Sequence, residues 1–332
     1  MDYGLSGKLV LVTGASGYIG SHVAKRLLQD GARVRAMIRN PAKATELESA
    51  GASVATGDMT DSGSLKRAVE GCQAVFHFAG TTNEFKPRAH FERVNTEGTR
   101  VLAEAALNKC VERFIHVSSV WVYGLWSGPK TCERSPCRES GQSYSDTKLK
   151  AEQVIRRLIA EKNLPAIILQ PSEVYGPGDP NWTKRPLELI KTGRMVLANR
   201  GKGLVQPIFI DDVVEGIVAA AQKGLPGETY ILCGHEVVEV REFFMHYARM
   251  VGKKRLPSIP GRFALGTAAL AEWVAKISRR PPVFTRQEVL STMATATYDG
   301  SKASRELGFI AKTTLTDGMD AVESWLKRAK IY

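Results

Sequence analysis

Residues 8–29 read KLVLVTGASGYIGSHVAKRLLQ: a β-branched apolar run, a turn with three glycines, and a segment whose apolar residues recur at helical spacing. Gly14 permits the tight turn, Gly17 lets the backbone approach a pyrophosphate, and Gly20 lets the helix pack closely on the strand. The helix start offers amide donors and a positive dipole end to phosphates. A glycine turn alone is a weak signal. Strand, turn and helix in register within the first 30 residues predict a dinucleotide-binding unit, with Ser16, Tyr18 and Ile19 beside the glycines at the cofactor.

The same alternation continues outward. Strands are expected at Leu9 to Thr13, Val34 to Ile38, Ser53 to Thr56, Ala74 to Phe78, Phe114 to Ser118 and Ala166 to Leu169, with helices between them at Ser21 to Gln29, Leu65 to Val69, Phe91 to Leu107 and Ser145 to Ile159. Parallel pairs need long crossovers, and the crossovers cover the faces, so this rhythm predicts an α/β fold with a doubly wound parallel sheet. After Gln170 the rhythm breaks into Pro/Gly-rich loops, a short helix, a strand at Gln206 to Ile210 and a mainly helical tail. The expected organisation is a dinucleotide-binding domain over 1–170, its sheet completed by 205–235, and a smaller substrate domain from 171–204 and 236–332.

Composition agrees: 332 residues, 43% hydrophobic, 24% charged, 30 glycines and 15 prolines match soluble globular averages and exclude disorder, collagen and coiled coil. The longest apolar stretch, Phe263 to Ile277, is interrupted by Glu272 and Lys276 and falls short of the ~20 apolar residues a bilayer requires. The N-terminus has a strand where a secretory signal would need its apolar core, so a cytoplasmic location is expected. Five scattered cysteines are expected to be reduced; Cys132 and Cys137 share a loop, but no histidine stands near to complete a metal site. The net charge of +12 comes without a basic helix interleaved with aromatics, which argues against nucleic acid and for anionic small ligands or a membrane surface.

The second strand ends without the acidic residue that would hold a ribose 2′-hydroxyl. Ile38 stands in that place, followed by Arg39 and, one helical turn on, Lys43, groups suited to a 2′-phosphate. NADP is expected over NAD.

The spacing GxxGxxG resembles that of the extended short-chain dehydrogenases/reductases, and further motifs follow in that family's order. Gly57-Asp58 resembles the adenine-contacting pair, Phe78-Ala79-Gly80 the cofactor floor and Asn95 to Thr99 the NxxGT helix. Ser118 to Gly124 resembles the serine strand, Tyr144 to Lys148 the YxxxK pair, Pro171 to Asp179 the substrate-side turn, and Asp211-Asp212-Val213 the late aspartate motif. The resemblance implies a Rossmann-type fold and cofactor contacts at Asp58, Met59, Phe78, Ala79, Gly80, Ser118, Pro171 and Val174. It implies catalytic roles for Ser119, Tyr144 and Lys148, with Asn95 supporting a proton-relay water or making a structural bond.

The chemistry fits. Tyr144 and Lys148 lie four residues apart, on one face of a helix. A free phenol, with a pKa of about 10, is a poor base until a neighbouring ammonium and an oxidised nicotinamide favour its phenolate. Ser119 would hydrogen-bond the reacting oxygen, and Lys148 would also hold the nicotinamide ribose.

Sugar-nucleotide dehydratases of this family carry Asp-Glu after the serine, where Val120 and Trp121 stand here, and many epimerases have Asn before VYG, where Glu173 stands. Gln170 replaces the usual diphosphate-clamping Arg. The form Pro-x-x-Val-Tyr-Gly-Pro-Gly-Asp at Pro171 to Asp179 resembles the 3β-hydroxysteroid dehydrogenase, dihydroflavonol reductase and hopanoid-associated branch. The branch implies a secondary alcohol/ketone oxidoreductase on a sterol-like, polycyclic or long-chain substrate, with Trp121, Trp126 and Trp182 near an apolar pocket. A nucleotide-sugar epimerase with retained cofactor and a non-catalytic NADP-binding regulator are the alternatives. The stretch from Lys253 to Arg280 is expected to wall a lipophilic pocket, to rest on an anionic membrane, or to be an ordinary core helix, and a homodimer stays open.

Overall fold

A computed structural model describes residues 3–82, 86–124, 128–278 and 284–331. The apolar runs become β1 (Leu9–Thr13), β2 (Arg33–Ile38), β3 (Ser53–Thr56), β4 (Ala74–His77), β5 (Arg113–Val117) and β6 (Ala166–Pro171). The short pieces β7 (Glu173–Tyr175), β8 (Leu197–Ala198), β9 (Leu204–Val205) and β10 (Pro207–Phe209) follow, then β11 (Thr229–Leu232). Seven of these form one sheet in the order β11-β6-β5-β4-β1-β2-β3, parallel throughout. The order reverses between β1 and β4, and ligands of such sheets bind in the crevice at the carboxyl ends there.

Alternation assigns the faces. Val10, Val12, Phe76, Ile115, Ile167 and Leu169 meet α1 (Tyr18–Gln29), α2 (Thr45–Ser49) and the later helix 210–223. On the other face Leu11, Val75, Phe114 and Ile168 meet α3 (Ser62–Val69) and two further helices, 98–108 and 143–162. The helix expected over 91–107 is three pieces: α4 (Arg88–Phe91), a π turn over Glu92–Glu97, and α5 (Gly98–Asn108). The wider turn carries Asn95, whose side chain is tied to two other segments, and such turns recur at functional sites.

α6 (Ser143–Lys162) completes that layer, followed by α7 (Arg185–Lys191) and α8 (Ile210–Lys223). The rest comprises β12 (Val238–Glu239), α9 (Val240–Met250), β13 (Ser258–Ile259), α10 (Gly261–Ser278), α11 (Arg286–Ser291), α12 (Ser301–Leu307) and α13 (Leu315–Arg328). β10 pairs with β7, β12 with β9 and β13 with β8, which ties these segments to the chain after β6. At the sheet edge, the outward N–H of Ile231 donates to Glu133 Oε1 at 2.9 Å, from the loop between β5 and α6. Among the described residues, no helix is long and apolar enough to cross a membrane.

Candidate active site

The glycine turn is shaped by close approach. Gly14 has φ +68°, and a Cβ there would lie 2.7 Å from the Ala79 nitrogen; a Cβ at Gly20 would lie 2.3 Å from the Gly14 carbonyl oxygen. Thus Gly20 seats the helix on the turn, and Gly14 seats the turn on the segment after β4. Ala79 N donates to Thr13 Oγ1 at 3.3 Å, which brings Phe78, Ala79 and exposed Gly80 beside the turn. Gly17 caps α1 without a side chain and the first turn holds no acidic residue, so its amides are left for an anion. Ser16 and Gly17 are exposed and Ile19 half-buried. The Tyr18 ring leans away from the turn: it packs on His22, and its buried hydroxyl, without a hydrogen-bond partner, reaches Gly176.

At the end of β2, Ile38 is buried, whereas Arg39 and Lys43 are exposed and their side chains make no hydrogen bond or ion pair among the described residues. Opposite lies Asp58, which accepts from Thr60 N at 2.8 Å and Thr60 Oγ1 at 2.7 Å. Burial alone would raise this carboxyl; the Thr60 hydrogen bonds and the nearby Arg39 charge outweigh it and hold it below the usual range. Met59 beside it is buried against Gly98.

Ser119 follows the Ser118 that ends the β5 segment, and its Oγ accepts from Trp121 N at 3.3 Å. Burial raises the Tyr144 phenol, and its hydrogen bond with Ser119 offsets part of that rise. The Trp121 ring meets Tyr144 edge-on at 6.4 Å. Four residues on, Lys148 Nζ donates to the Val117 carbonyl at 2.6 Å. Burial brings this ammonium down to about 8, with the Glu152 charge opposing. Two further ammonium hydrogens remain for a ligand, and the buried Ser118 hydroxyl has no partner, donors and acceptor that suit a nicotinamide ribose. The candidate set Ser119, Tyr144 and Lys148 is therefore brought together.

Asn95 makes structural bonds beside it. Its Nδ2 donates to Thr81 O at 3.2 Å and Thr147 Oγ1 at 3.1 Å, and its Oδ1 accepts from Thr81 N at 2.7 Å, so it fastens the loop after β4 to α6.

Pro171 is buried at the end of β6, and Val174 half-buried on β7. Gln170 bridges inward: Tyr123 OH donates to its Oε1 at 2.6 Å, and its Nε2 donates to buried Glu152 at 2.8 Å.

Two features escaped the sequence reading. Glu173, read there only for the Asn it replaces, lines a cavity with Trp121, Trp182, Val205, Ala296 and Tyr298. Trp121 Nε1 donates to its Oε1 at 3.3 Å, and burial pushes its carboxyl up to about 7. Beneath Lys148, His77 and His116 are neighbours in register, with rings 5.4 Å apart. His77 bridges Thr13 and Thr99 at 2.8 Å each, while neither His116 nitrogen has a partner. Burial first, and the Lys148 charge second, hold both imidazoles neutral.

Trp121 and Trp182 do line a cavity, whereas Trp126 lies outside the described residues. Phe263, Leu270 and Trp273, expected as one reading to wall the pocket, face outward, and none of them lines the cavity of Glu173. Ala264 and Ala268 of α10 are turned inward, with Leu265 partly buried beside them.

The NAD dependent epimerase/dehydratase family matches residues 10–233. The chain is 30% identical over 321 residues to 4-hydroxy-2-methyl-3-oxo-4-farnesyl-3,4-dihydroquinoline-1-oxide ketoreductase of Stigmatella aurantiaca, covering 94% of each. It is 30% identical over 332 residues to sterol demethylase protein B of Methylococcus capsulatus, covering 97% of this chain and 99% of the relative. The crystal structure of gox2253 superposes with a TM-score of 0.80 at 32% identity, over 97% of this chain and 99% of that one. Since the match runs from the first strand of the sheet to beyond its last, the chain belongs to the NAD dependent epimerase/dehydratase family and is an NAD(P)-dependent oxidoreductase of the extended short-chain type.

Proposed function

We propose that the enzyme is an NADP-preferring oxidoreductase that interconverts a secondary alcohol and a ketone on a lipophilic substrate. The observation that carries this reading is the cluster beside Tyr144, where Trp121, Trp182 and Tyr298 line a small cavity together with Glu173, whose carboxyl burial raises to about 7, and Gln170 is engaged inward. Such a cluster suits an apolar body with one or two oxygens and offers no guanidinium to a diphosphate. The names of the relatives in Stigmatella, a ketoreductase, and in Methylococcus, a sterol protein, agree with it. The nicotinamide, when bound, exchanges the hydride. Tyr144 gives or takes the proton at the reacting oxygen, Ser119 orients that oxygen by a hydrogen bond, and Lys148 holds the ribose.

Coenzyme turnover across steroid, flavonoid, acyl and nucleotide-sugar substrates tests the reading: net consumption of NADPH with a polycyclic or long-chain ketone is expected. Product from a nucleotide sugar without net consumption would replace it with an epimerase. Arg39→Ala should weaken NADPH binding by about 1.5–3 kcal/mol and leave NADH nearly unchanged, as measured by titration of each coenzyme. Equal loss for both would remove the NADP preference.

A further inference from the structure

Helix α10 presents its side chains in the reverse of the usual order. At about 100° per residue, Ala264 and Ala268 fall on the face packed against Ala198 and Val289. Phe263, Leu270, Trp273, Val274 and Ile277 fall in one stripe on the opposite face, 56%, 60%, 60%, 48% and 65% exposed. Among the described residues, these five make up half of the large apolar side chains so exposed. The stripe runs about 21 Å along the helix, at 1.5 Å per residue. A contiguous apolar surface of this kind marks something that covers it.

The charge around it indicates what. The Arg262 guanidinium lies 5.1 Å from the Phe263 ring centre at one end of the stripe, and exposed Lys254 and Arg255 precede the helix. From Val251 to Gln287 the sequence holds eight Lys or Arg and one acid, Glu272. That acid is taken up by Arg286, whose Nε donates to it at 2.8 Å. We infer that α10 docks the enzyme on an anionic lipid surface, with the stripe among the acyl chains and the basic residues at the headgroups. A second copy packed on the same stripe about a two-fold axis would bring this basic rim against itself, a like-charge arrangement that disfavours that occupant. α10 packs on α11, whose Ser291 lines the cavity of Glu173, so one helix separates the docking helix from that cavity. The inference agrees with a lipophilic substrate but rests on the helix alone.

Flotation of the full chain, without substrate or coenzyme, tests it. Binding is expected to vesicles of mixed phosphatidylcholine and phosphatidylglycerol at low salt. It should fall about tenfold or more on pure phosphatidylcholine, or when added salt shortens the Debye length to about 3 Å. Leu270→Ser with Trp273→Ser and Ile277→Ser should lose binding to the same degree while keeping the parent's melting curve. Absence of the parent from mixed vesicles at low salt overturns the inference, as does undiminished flotation of the triple variant. A parent dimer that the triple variant converts to a monomer overturns it in favour of a second copy. Should the triple variant fail to fold, Lys254→Glu with Arg255→Glu decides in its place, since retained binding there overturns the electrostatic part and the occupant with it.

Discussion

Helices α6 and α10 depart from the ordinary partition of side chains in opposite directions. α6 buries Ser145, Asp146, Thr147, Lys148 and Glu152, while α10 turns Phe263, Leu270 and Trp273 to the outside. Burial of charge costs free energy unless partners are supplied, and around α6 they are: Val117 O for Lys148, Gln170 and Arg156 for Glu152, and Arg88 and the Ser140 amide for Asp146. α10 has no such internal compensation. Polar groups kept inside must be paired, and apolar groups kept outside leave a surface for something to cover.

The comparison can be broken at either helix. Tyr144→Phe keeps the ring on Trp121 and removes the proton carrier; turnover should fall roughly 10²- to 10⁴-fold with coenzyme binding nearly unchanged. A rate within a factor of about two of the parent would remove Tyr144 from the reaction and leave the buried face of α6 without a catalytic reason. Glu152→Leu should cost about 1–3 kcal/mol in denaturant unfolding, because it leaves the Gln170 amide without its acceptor. A neutral outcome would mean that this polar interior is dispensable.

Glu173 sharpens the contrast through pH. Its carboxyl moves from about 4.5 to about 7 on burial, so the folded state binds its proton more tightly than the unfolded chain does. Its stabilising contribution is therefore full below pH 4.5 and is lost as pH rises toward 7. Glu173→Gln should abolish about 1 kcal/mol or more of that decline, read from unfolding curves of both proteins across the window. Parallel curves would show that Glu173 is solvated. On α10, by contrast, Leu270→Ser or Trp273→Ser should change unfolding free energy by no more than about 0.5 kcal/mol, since neither leaves a cavity. A loss of several kcal/mol would return this helix to the core.

The sheet was legible because its central strands are buried on both sides and read as short apolar runs, and β1 to β6 start and end within one or two residues of the expected runs, β6 running two further. The Ser119, Tyr144 and Lys148 set was legible because helical spacing and local motifs carry it. Glu173 was not, because its burial depends on β10, paired with β7 from more than thirty residues away. The π turn was hidden for a similar reason: Asn95 is held by Thr81 and Thr147, on two other segments. The outward stripe of α10 was ambiguous because both faces of residues 262–277 are apolar, and only packing tells alanines from the larger side chains.

The carboxylate of Glu133 against the Ile231 amide bears on behaviour in concentrated solution. A bare terminal strand invites chains to add themselves to it, residue by residue, and so seeds insoluble assemblies. In this enzyme one such amide is occupied by the loop that joins the serine segment to the tyrosine helix. A chain with that loop displaced would present an adhesive border as well as a disordered reaction centre, so loss of turnover and loss of colloidal stability should arise together.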